Sequence, residues 1–130
     1  DQLKNMVDSL QDREKVNFAR RVSNVFEYLK NSDMLLFPSM GVGMPNSVIE
    51  TLHYSVVCIT YDNTVFPEFK KMGFYIHLVK SEDVDALKIV LTEVASDIVN
   101  EKKLSGKNYA LACKVFSLEL EVSWWNRLFA

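Results

Sequence analysis

The sequence predicts an α/β fold in which a Rossmann-like parallel sheet is covered by helices on both faces. Two short runs, residues 34–37 and 56–61, are apolar almost throughout, and stretches with apolar residues at helical spacing separate them from their neighbours. Strands that are buried on both faces and alternate with helices are typical of parallel sheets. The 130 residues, 48% hydrophobic and 25% charged, match one ordinary globular domain, so we predict a single domain over residues 1–130.

The first third of the chain is predicted to lead from a helix into this sheet. Apolar residues recur at helical spacing near the amino end, at Leu3, Met6, Val7 and Leu10. Alternation of Val16 and Phe18 predicts a short strand over residues 16–20. Ser23 is expected to cap a helix that ends near residues 31–33, and residues 34–37 form the next strand.

The remainder of the chain continues the alternation. Residues 38–45 contain two glycines and two prolines, which predicts a turn, and Pro45 is well placed as the first residue of a helix. A strand over residues 56–61 then leads to a polar loop containing Pro67 and Glu68, and a last strand covers residues 74–78. Ser81 is expected to cap a helix over residues 83–99, and a final helix is predicted over residues 109–129, ending in Trp124, Trp125 and Phe129.

Charge and cysteine content exclude several classes of function. The net charge of −2 provides no basic surface for a nucleic-acid backbone, so no nucleic-acid partner is expected. Cys58 and Cys113 stand alone in apolar surroundings, which favours two buried free thiols over a metal site or redox pair. Because the apolar runs are too short to cross a bilayer and no secretory signal is seen, a cytoplasmic location is predicted.

The turn after residue 37 is the segment most suited to binding. Ligands of parallel α/β sheets bind at the carboxyl ends of the strands, where this turn lies. Gly41 and Gly43 have no side chain to keep a ligand from the backbone, and the turn leads into a helix start that favours a phosphate or diphosphate. A surface turn without a ligand is the alternative, since a Gly-x-Gly turn before a helix is common.

Glu50 is predicted to face the same cleft as the turn. On a helical wheel it points away from the apolar stripe of Val48, Ile49 and Leu52. Its carboxylate can accept hydrogen bonds from both hydroxyls of a ribose. The alternative is that Glu50 is a solvated surface residue.

The residues from Ser39 to Glu50 resemble the sugar-nucleotide motif of the retaining GT-B glycosyltransferases that build lipopolysaccharide, capsule and related glycans (glycosyl transferases group 1). The family pattern is Ser-x-x-Glu-Gly-x-Pro-x-x-x-x-Glu, and Ser39, Gly43, Pro45 and Glu50 match it. Pro67 and Glu68 resemble the Pro-Glu segment of the same family. The resemblance therefore extends beyond the motif and covers nearly the whole chain.

The resemblance implies a carboxy-terminal, donor-binding domain that holds a UDP- or GDP-linked sugar, with transfer to a glycan or lipid-linked acceptor. Glu50 would bind the ribose, and the segment around it would hold the diphosphate and the sugar. The implied donor-binding residues are Gly41, Val42, Gly43, Met44, Pro45, Asn46, Ser47 and Glu50, with Ser39 and Glu68 as secondary candidates. No catalytic residue, metal or other cofactor is implied, and the intact enzyme is expected in the cytoplasm or at the inner membrane face.

Two departures from the family pattern qualify these expectations. Val42 occupies the position of the first glutamate, which touches the donor sugar in the family, and valine cannot form a hydrogen bond through its side chain. A non-catalytic, glycosyltransferase-like interaction module is therefore the alternative. A nucleotide-binding fold without sugar chemistry is disfavoured, because the Gly-x-Gly-x-x-Gly pattern is missing.

The second departure concerns the start of the chain. The family places two further strands, a basic pair and an acceptor-binding domain before the segment where this chain begins. The chain is therefore expected to be a partial domain that is inactive alone and needs its amino-terminal partner domain. Because its sheet edges are exposed, it is expected either to self-associate or to re-pair its strands.

Overall fold

A three-stranded parallel sheet lies at the centre of the fold. The computed structural model describes residues 2–41, 43–117, 119, 120, 122, 123 and 127. The strands are β1 (Met34–Phe37), β2 (Val57–Tyr61) and β3 (His77–Val79), in the spatial order β1-β2-β3. Met34 pairs with Val57 in the first ladder, and Ile59 pairs with His77 in the second. The predicted parallel α/β sheet is confirmed.

Helices precede, connect and follow the strands. Two of them and a short 3-10 turn precede the sheet: α1 (Gln2–Asp8), the turn Arg13–Lys15 and α2 (Val25–Lys30). Two connect the strands: α3 (Asn46–Leu52) between β1 and β2, and α4 (Phe66–Lys71) between β2 and β3. Three follow β3: α5 (Val84–Ser96), α6 (Ile98–Ser105) and α7 (Asn108–Val115).

Helices cover both faces of the sheet, and β2 shows this most directly because all five of its residues are buried. On one face Cys58 packs with residues of α3, α4 and α7. On the other face Val57, Ile59 and Tyr61 pack against α5 and α6. Since successive side chains of a strand point to opposite faces, a strand covered on both sides is apolar at almost every position. Thr60 is the polar exception in β2, and its buried hydroxyl has no partner among the described residues.

An aromatic cluster fills the core on the α3–α4–α7 face. Phe69 lies 5.7 Å from Phe74, 5.7 Å from Phe116 and 6.3 Å from Phe66, measured between ring centroids. Phe66, Phe69 and Phe74 are each at most 2% exposed. The cluster therefore connects α4, the segment before β3 and Phe116, the residue that follows α7.

Polar contacts attach α6 and α7 to the β3 segment. Glu101 accepts hydrogen bonds from the hydroxyl of Tyr75 at 3.0 Å and from Nε2 of His77 at 2.7 Å. Burial, followed by the hydrogen bond to Glu101, raises the pKa of Tyr75. Asn108 at the start of α7 pairs with both the N–H and the carbonyl of Tyr75, at 2.7 and 2.9 Å.

The strand predicted over residues 16–20 is wrong. These residues are extended or irregular, lie in no ladder and are all exposed, and Arg20 has a φ of +55° that a strand does not tolerate. The alternation of Val16 and Phe18 indicates a strand only where a neighbouring strand supplies hydrogen bonds, and none of the described residues does so. The helix predicted at the amino end is confirmed as α1, but none of its residues is buried.

Several predicted boundaries are also corrected. Asp83, not Ser81, caps α5, because its carboxylate accepts from the N–H of Ala86 at 2.9 Å. The helix predicted over residues 83–99 is divided into α5 and α6 at Asp97, where φ is −130° and ψ is 39°. Asn24 rather than Ser23 stands at the start of α2. Of the strand predicted over residues 74–78, only residues 77 and 78 join the sheet, and β3 extends to Val79.

Two predictions for the carboxy-terminal part are changed or untested. The final helix predicted over residues 109–129 is interrupted, because α7 ends at Val115 and Phe116 adopts a non-helical backbone. Trp124, Trp125 and Phe129 lie outside the described residues. Cys58 is buried as predicted, and burial raises its pKa to about 12. The prediction that Cys113 is also buried is wrong, because it lies on an exposed side of α7.

The outer edge of β1 is the feature most suited to self-association. Within the described ranges β1 pairs only with β2, and Leu36 on this strand is 41% exposed. We expect the 130-residue chain to associate as its concentration rises, because an unpaired edge offers free N–H and C=O groups to another strand. Light scattering should show a rising mass that Leu36→Lys reduces and that Val99→Lys, a control at an 82% exposed helical site, leaves unchanged. A concentration-independent monomer would contradict this expectation.

Candidate functional site

The loops that follow the three strands meet at one edge of the sheet, as the parallel topology requires. Asn63, after β2, donates through Nδ2 to the carbonyl of Ser39 after β1, at 3.2 Å. The same Nδ2 lies 3.3 Å from Oγ of Ser81 after β3. Oδ1 of Asp62 accepts from the N–H and the hydroxyl of Ser81, at 2.8 and 3.1 Å. The turn singled out from the sequence is therefore one of three connected loops.

Residues 38–45, which we call the motif loop, present an open backbone on both sides of Val42. Gly41 has a φ of +65°, and a Cβ placed on Gly41 or Gly43 would meet no atom within 4 Å. The positive φ explains a glycine at position 41, and the open space at both positions leaves the main chain accessible. Met40 and Met44 are also exposed, at 52% and 60%. Val42 itself lies outside the described residues.

The start of α3 carries backbone donors next to the motif loop. Pro45 was predicted to be the first residue of the helix but lies just before it, since α3 begins at Asn46. The carbonyl of Pro45 accepts from the N–H groups of Val48 and Ile49 at 3.0 and 3.1 Å. The N–H groups of Asn46 and Ser47 have no partner among the residues that the structure describes. First-turn N–H groups lack intrahelical partners and are satisfied by water, side chains or ligands.

Glu50 lies on α3 away from the side that is most deeply buried. Val48, Thr51 and Leu52 are fully buried, whereas Glu50 is half-buried, which agrees with its predicted position off the apolar stripe. Ile49, predicted within that stripe, is also only half-buried, against the α3–α4–α7 face. No described side chain forms an ion pair or hydrogen bond with the carboxylate of Glu50, and the residue is half-buried.

The two secondary candidates differ in their surroundings. Ser39 is half-buried in the motif loop, and its carbonyl is the acceptor for Asn63. The prediction that Glu68 lies in a loop is wrong, because Glu68 lies in the first turn of α4. Pro67 fits in the same turn because N–H groups there have no partner within the helix. The carboxylate of Glu68 pairs with Lys71 of the same helix at 2.7 Å, and both side chains are exposed.

Other kinds of site find no support in the described part of the chain. No group of three His, Cys, Asp or Glu residues there is arranged to hold a metal ion. His53 donates through Nδ1 to the carbonyl of Ile49 at 2.9 Å, and His77 is paired with Glu101, so both histidines have structural partners. Among the described helices, none has the length and apolar character needed to span a membrane.

The sequence reading did not single out Asn63. A signal for it was present, because Asp62 and Asn63 directly follow the buried strand β2 and therefore lie at the carboxyl edge of the sheet. The sequence does not show that the side-chain amide of Asn63 contacts Ser39 and Ser81, which are 24 and 18 positions away along the chain.

Comparison with known proteins adds one finding. The family model for glycosyl transferases group 1 matches residues 1–110, which include the motif loop, the sheet and Glu50. A search of the curated proteins gave no match to the chain.

Proposed function

Because the chain belongs to the glycosyl transferases group 1 family, we propose that it binds the nucleotide-sugar donor of a glycosyltransferase. The observation that carries this proposal is the motif loop, which exposes its backbone at Gly41 and Gly43 and leads into α3, where Glu50 has no described partner. A diphosphate needs N–H donors that approach closely, and a ribose needs an acceptor for its hydroxyls. In this proposal the motif loop supplies the N–H donors and Glu50 supplies the acceptor.

In the proposed complex the diphosphate lies against the open backbone of the motif loop. The residues that would contact the donor are Gly41, Val42, Gly43, Met44, Pro45, Asn46, Ser47 and Glu50. The amides of Asn46 and Ser47 would donate to phosphate or sugar oxygens, and Glu50 would accept from the ribose hydroxyls. Ser39 and Glu68 remain secondary candidates, and Glu68 would first have to separate from Lys71.

The finer features of the proposal follow from the resemblance of the motif. They are a UDP- or GDP-linked donor, transfer with retention of configuration in a GT-B arrangement with an amino-terminal domain, and a glycan or lipid-linked acceptor of the lipopolysaccharide or capsule type. Charge on the leaving diphosphate would be stabilised by protein donors, without a metal or other cofactor. The intact enzyme would act in the cytoplasm or at the inner membrane face.

The proposal is tested by titrating UDP and GDP into the 130-residue chain and following backbone amide resonances. We expect saturable binding by one of them, with the largest changes between residues 39 and 50. UMP and GMP serve as matched ligands that lack the second phosphate, and they should bind more weakly because they have fewer acceptors for the loop amides. Absence of saturable binding by either diphosphate would contradict the proposal.

Val42 favours a second candidate, a glycosyltransferase-like interaction module without catalysis, because valine stands where the family pattern has glutamate. Val42→Glu in the parent protein separates the two. If the module retains the transferase function, this change should raise transfer from the bound donor, since a carboxylate can accept hydrogen bonds from the sugar. If neither form binds a sugar nucleotide, the interaction module is the better description.

A further inference from the structure

Among the described residues, Asn63 is the one whose side chain forms hydrogen bonds to both of the neighbouring loops. Its Nδ2 donates to the carbonyl of Ser39 at 3.2 Å and lies 3.2 Å from Sδ of Met40 and 3.3 Å from Oγ of Ser81. We propose that Asn63 is a positioning residue, which holds the motif loop in the conformation that binds the donor. This inference rests on the proposed function for its consequence, but the contacts themselves do not depend on it.

The position of Asn63 is itself set by the core. Asn63 lies between two core residues, Tyr61, which is 7% exposed, and Phe66, which is fully buried. The N–H of Phe66 donates to the carbonyl of Asn63 at 3.2 Å. Oδ1 of Asn63 accepts from the hydroxyl of Thr64 at 3.2 Å, so the amide nitrogen is directed at the other two loops. The backbone of Asn63 is therefore held by Phe66 and its side-chain oxygen by Thr64, both of which lie outside the motif loop.

Few hydrogen bonds hold the described residues of the motif loop. Over residues 38–41, 43 and 44 no backbone–backbone hydrogen bond is formed to any described residue, and Asn63 provides the hydrogen bond to the main chain there. Two glycines in this stretch add conformational freedom that the loop would lose on binding a ligand. A loop already held by Asn63 has less to lose, which favours binding.

Ser81 and Asp62 extend the arrangement to the third loop. Oγ of Ser81 accepts from Asn63 and donates to Oδ1 of Asp62, which also accepts the N–H of Ser81. An amide has only two N–H groups for its three neighbours, so the carbonyl of Ser39 and the hydroxyl of Ser81 are the natural acceptors and the sulfur of Met40 is the weakest. The three loops are thus connected through neutral donors centred on Asn63 and one carboxylate.

The experiment uses the 130-residue chain and the variant Asn63→Asp, which keeps the size of the side chain and removes both N–H donors. Asn100→Asp is the matched control, because it makes the same change at an exposed site on α6. Amide resonances of the four glycines report the result: Gly41 and Gly43 lie in the motif loop, whereas Gly73 and Gly106 do not. The urea midpoint reports global stability.

If Asn63 positions the loop, Asn63→Asp shifts or broadens Gly41 and Gly43, leaves Gly73 and Gly106 unchanged, and keeps the urea midpoint close to that of Asn100→Asp. Affinity for the diphosphate that binds the wild-type chain should fall by about tenfold or more, because the hydrogen bonds that hold the loop are lost and the new carboxylate repels an anion. The glycine resonances therefore carry the decision on loop positioning. Unchanged Gly41 and Gly43, or equal changes at all four glycines, would overturn the inference. If the wild-type chain binds no diphosphate, the proposed function fails, and the glycine resonances alone then decide whether Asn63 holds the loop.

Discussion

Glu50→Ala is expected to weaken binding of UDP or GDP by at least about tenfold, because a hydrogen bond to a charged group contributes about 1.5–3 kcal/mol and each 1.4 kcal/mol is a factor of ten. The carboxylate of Glu50 has no partner among the described residues, so its removal should leave no other group unsatisfied. The free energy of unfolding should therefore change by less than about 0.5 kcal/mol. This separation of binding from stability is the mark of a ligand contact.

Titration calorimetry of the 130-residue chain provides the measurement. Glu93→Ala is a suitable control, since Glu93 is an exposed carboxylate on α5. Glu50→Gln should retain part of the affinity, because the amide keeps one acceptor oxygen but loses the charge. Equal diphosphate affinity in Glu50→Ala and the wild type would show that Glu50 does not bind the ribose.

Phe69→Ala should reduce the free energy of unfolding by about 3–5 kcal/mol, the range expected for truncation of a buried phenylalanine. Phe69 is 2% exposed and has three aromatic neighbours, Phe66, Phe74 and Phe116, with centroids 5.7 to 6.3 Å away. Truncation removes the buried surface and leaves a cavity among rings that cannot collapse into it. Against a typical stability of about 5–15 kcal/mol, this loss is large.

Urea unfolding of the variants is the appropriate measurement. Phe18→Ala is the matched control, because Phe18 is the same residue type at 45% exposure and should change the free energy of unfolding by less than about 0.5 kcal/mol. Phe69→Leu should lose less than Phe69→Ala, since most of the volume is kept. If Phe69→Ala and Phe18→Ala had similar effects, the aromatic cluster would not be a main source of stability.

The sheet was predictable because the pattern of apolar residues in a strand reflects how far each face of that strand is buried. Residues 57–61 are apolar at almost every position because β2 is covered on both faces. Residues 34–37 share this pattern, although β1 is only partly covered and Leu36 is exposed. Residues 16–20 show the limit of such reasoning, because their alternation resembles a strand but no described strand pairs with them. A strand is stable only with a partner, and the partner is not a local property of the sequence.

Caps and helix breaks were predicted less well for a related reason. Ser81 and Asp83 are both good capping residues, two positions apart, and the choice between them depends on Asp62, which holds Ser81 at the end of β3. The placement of Pro67 and Glu68 in a loop failed similarly, since Phe66 and Phe69 enter the core from a helix that begins beside them. In both cases tertiary packing outweighs the local preference.

For the site, the sequence by itself determined the alternation of strands and helices, the two glycines of the motif loop and the position of Glu50 off the apolar stripe. Each of these depends on residue type and spacing along one segment, which a sequence states directly. Only the tertiary structure decided that Glu68 pairs with Lys71 and that Asn63 joins the three loops. Contacts between segments depend on which strands become neighbours, and pairing across the sheet, rather than local spacing, brings Asn63 to Ser39.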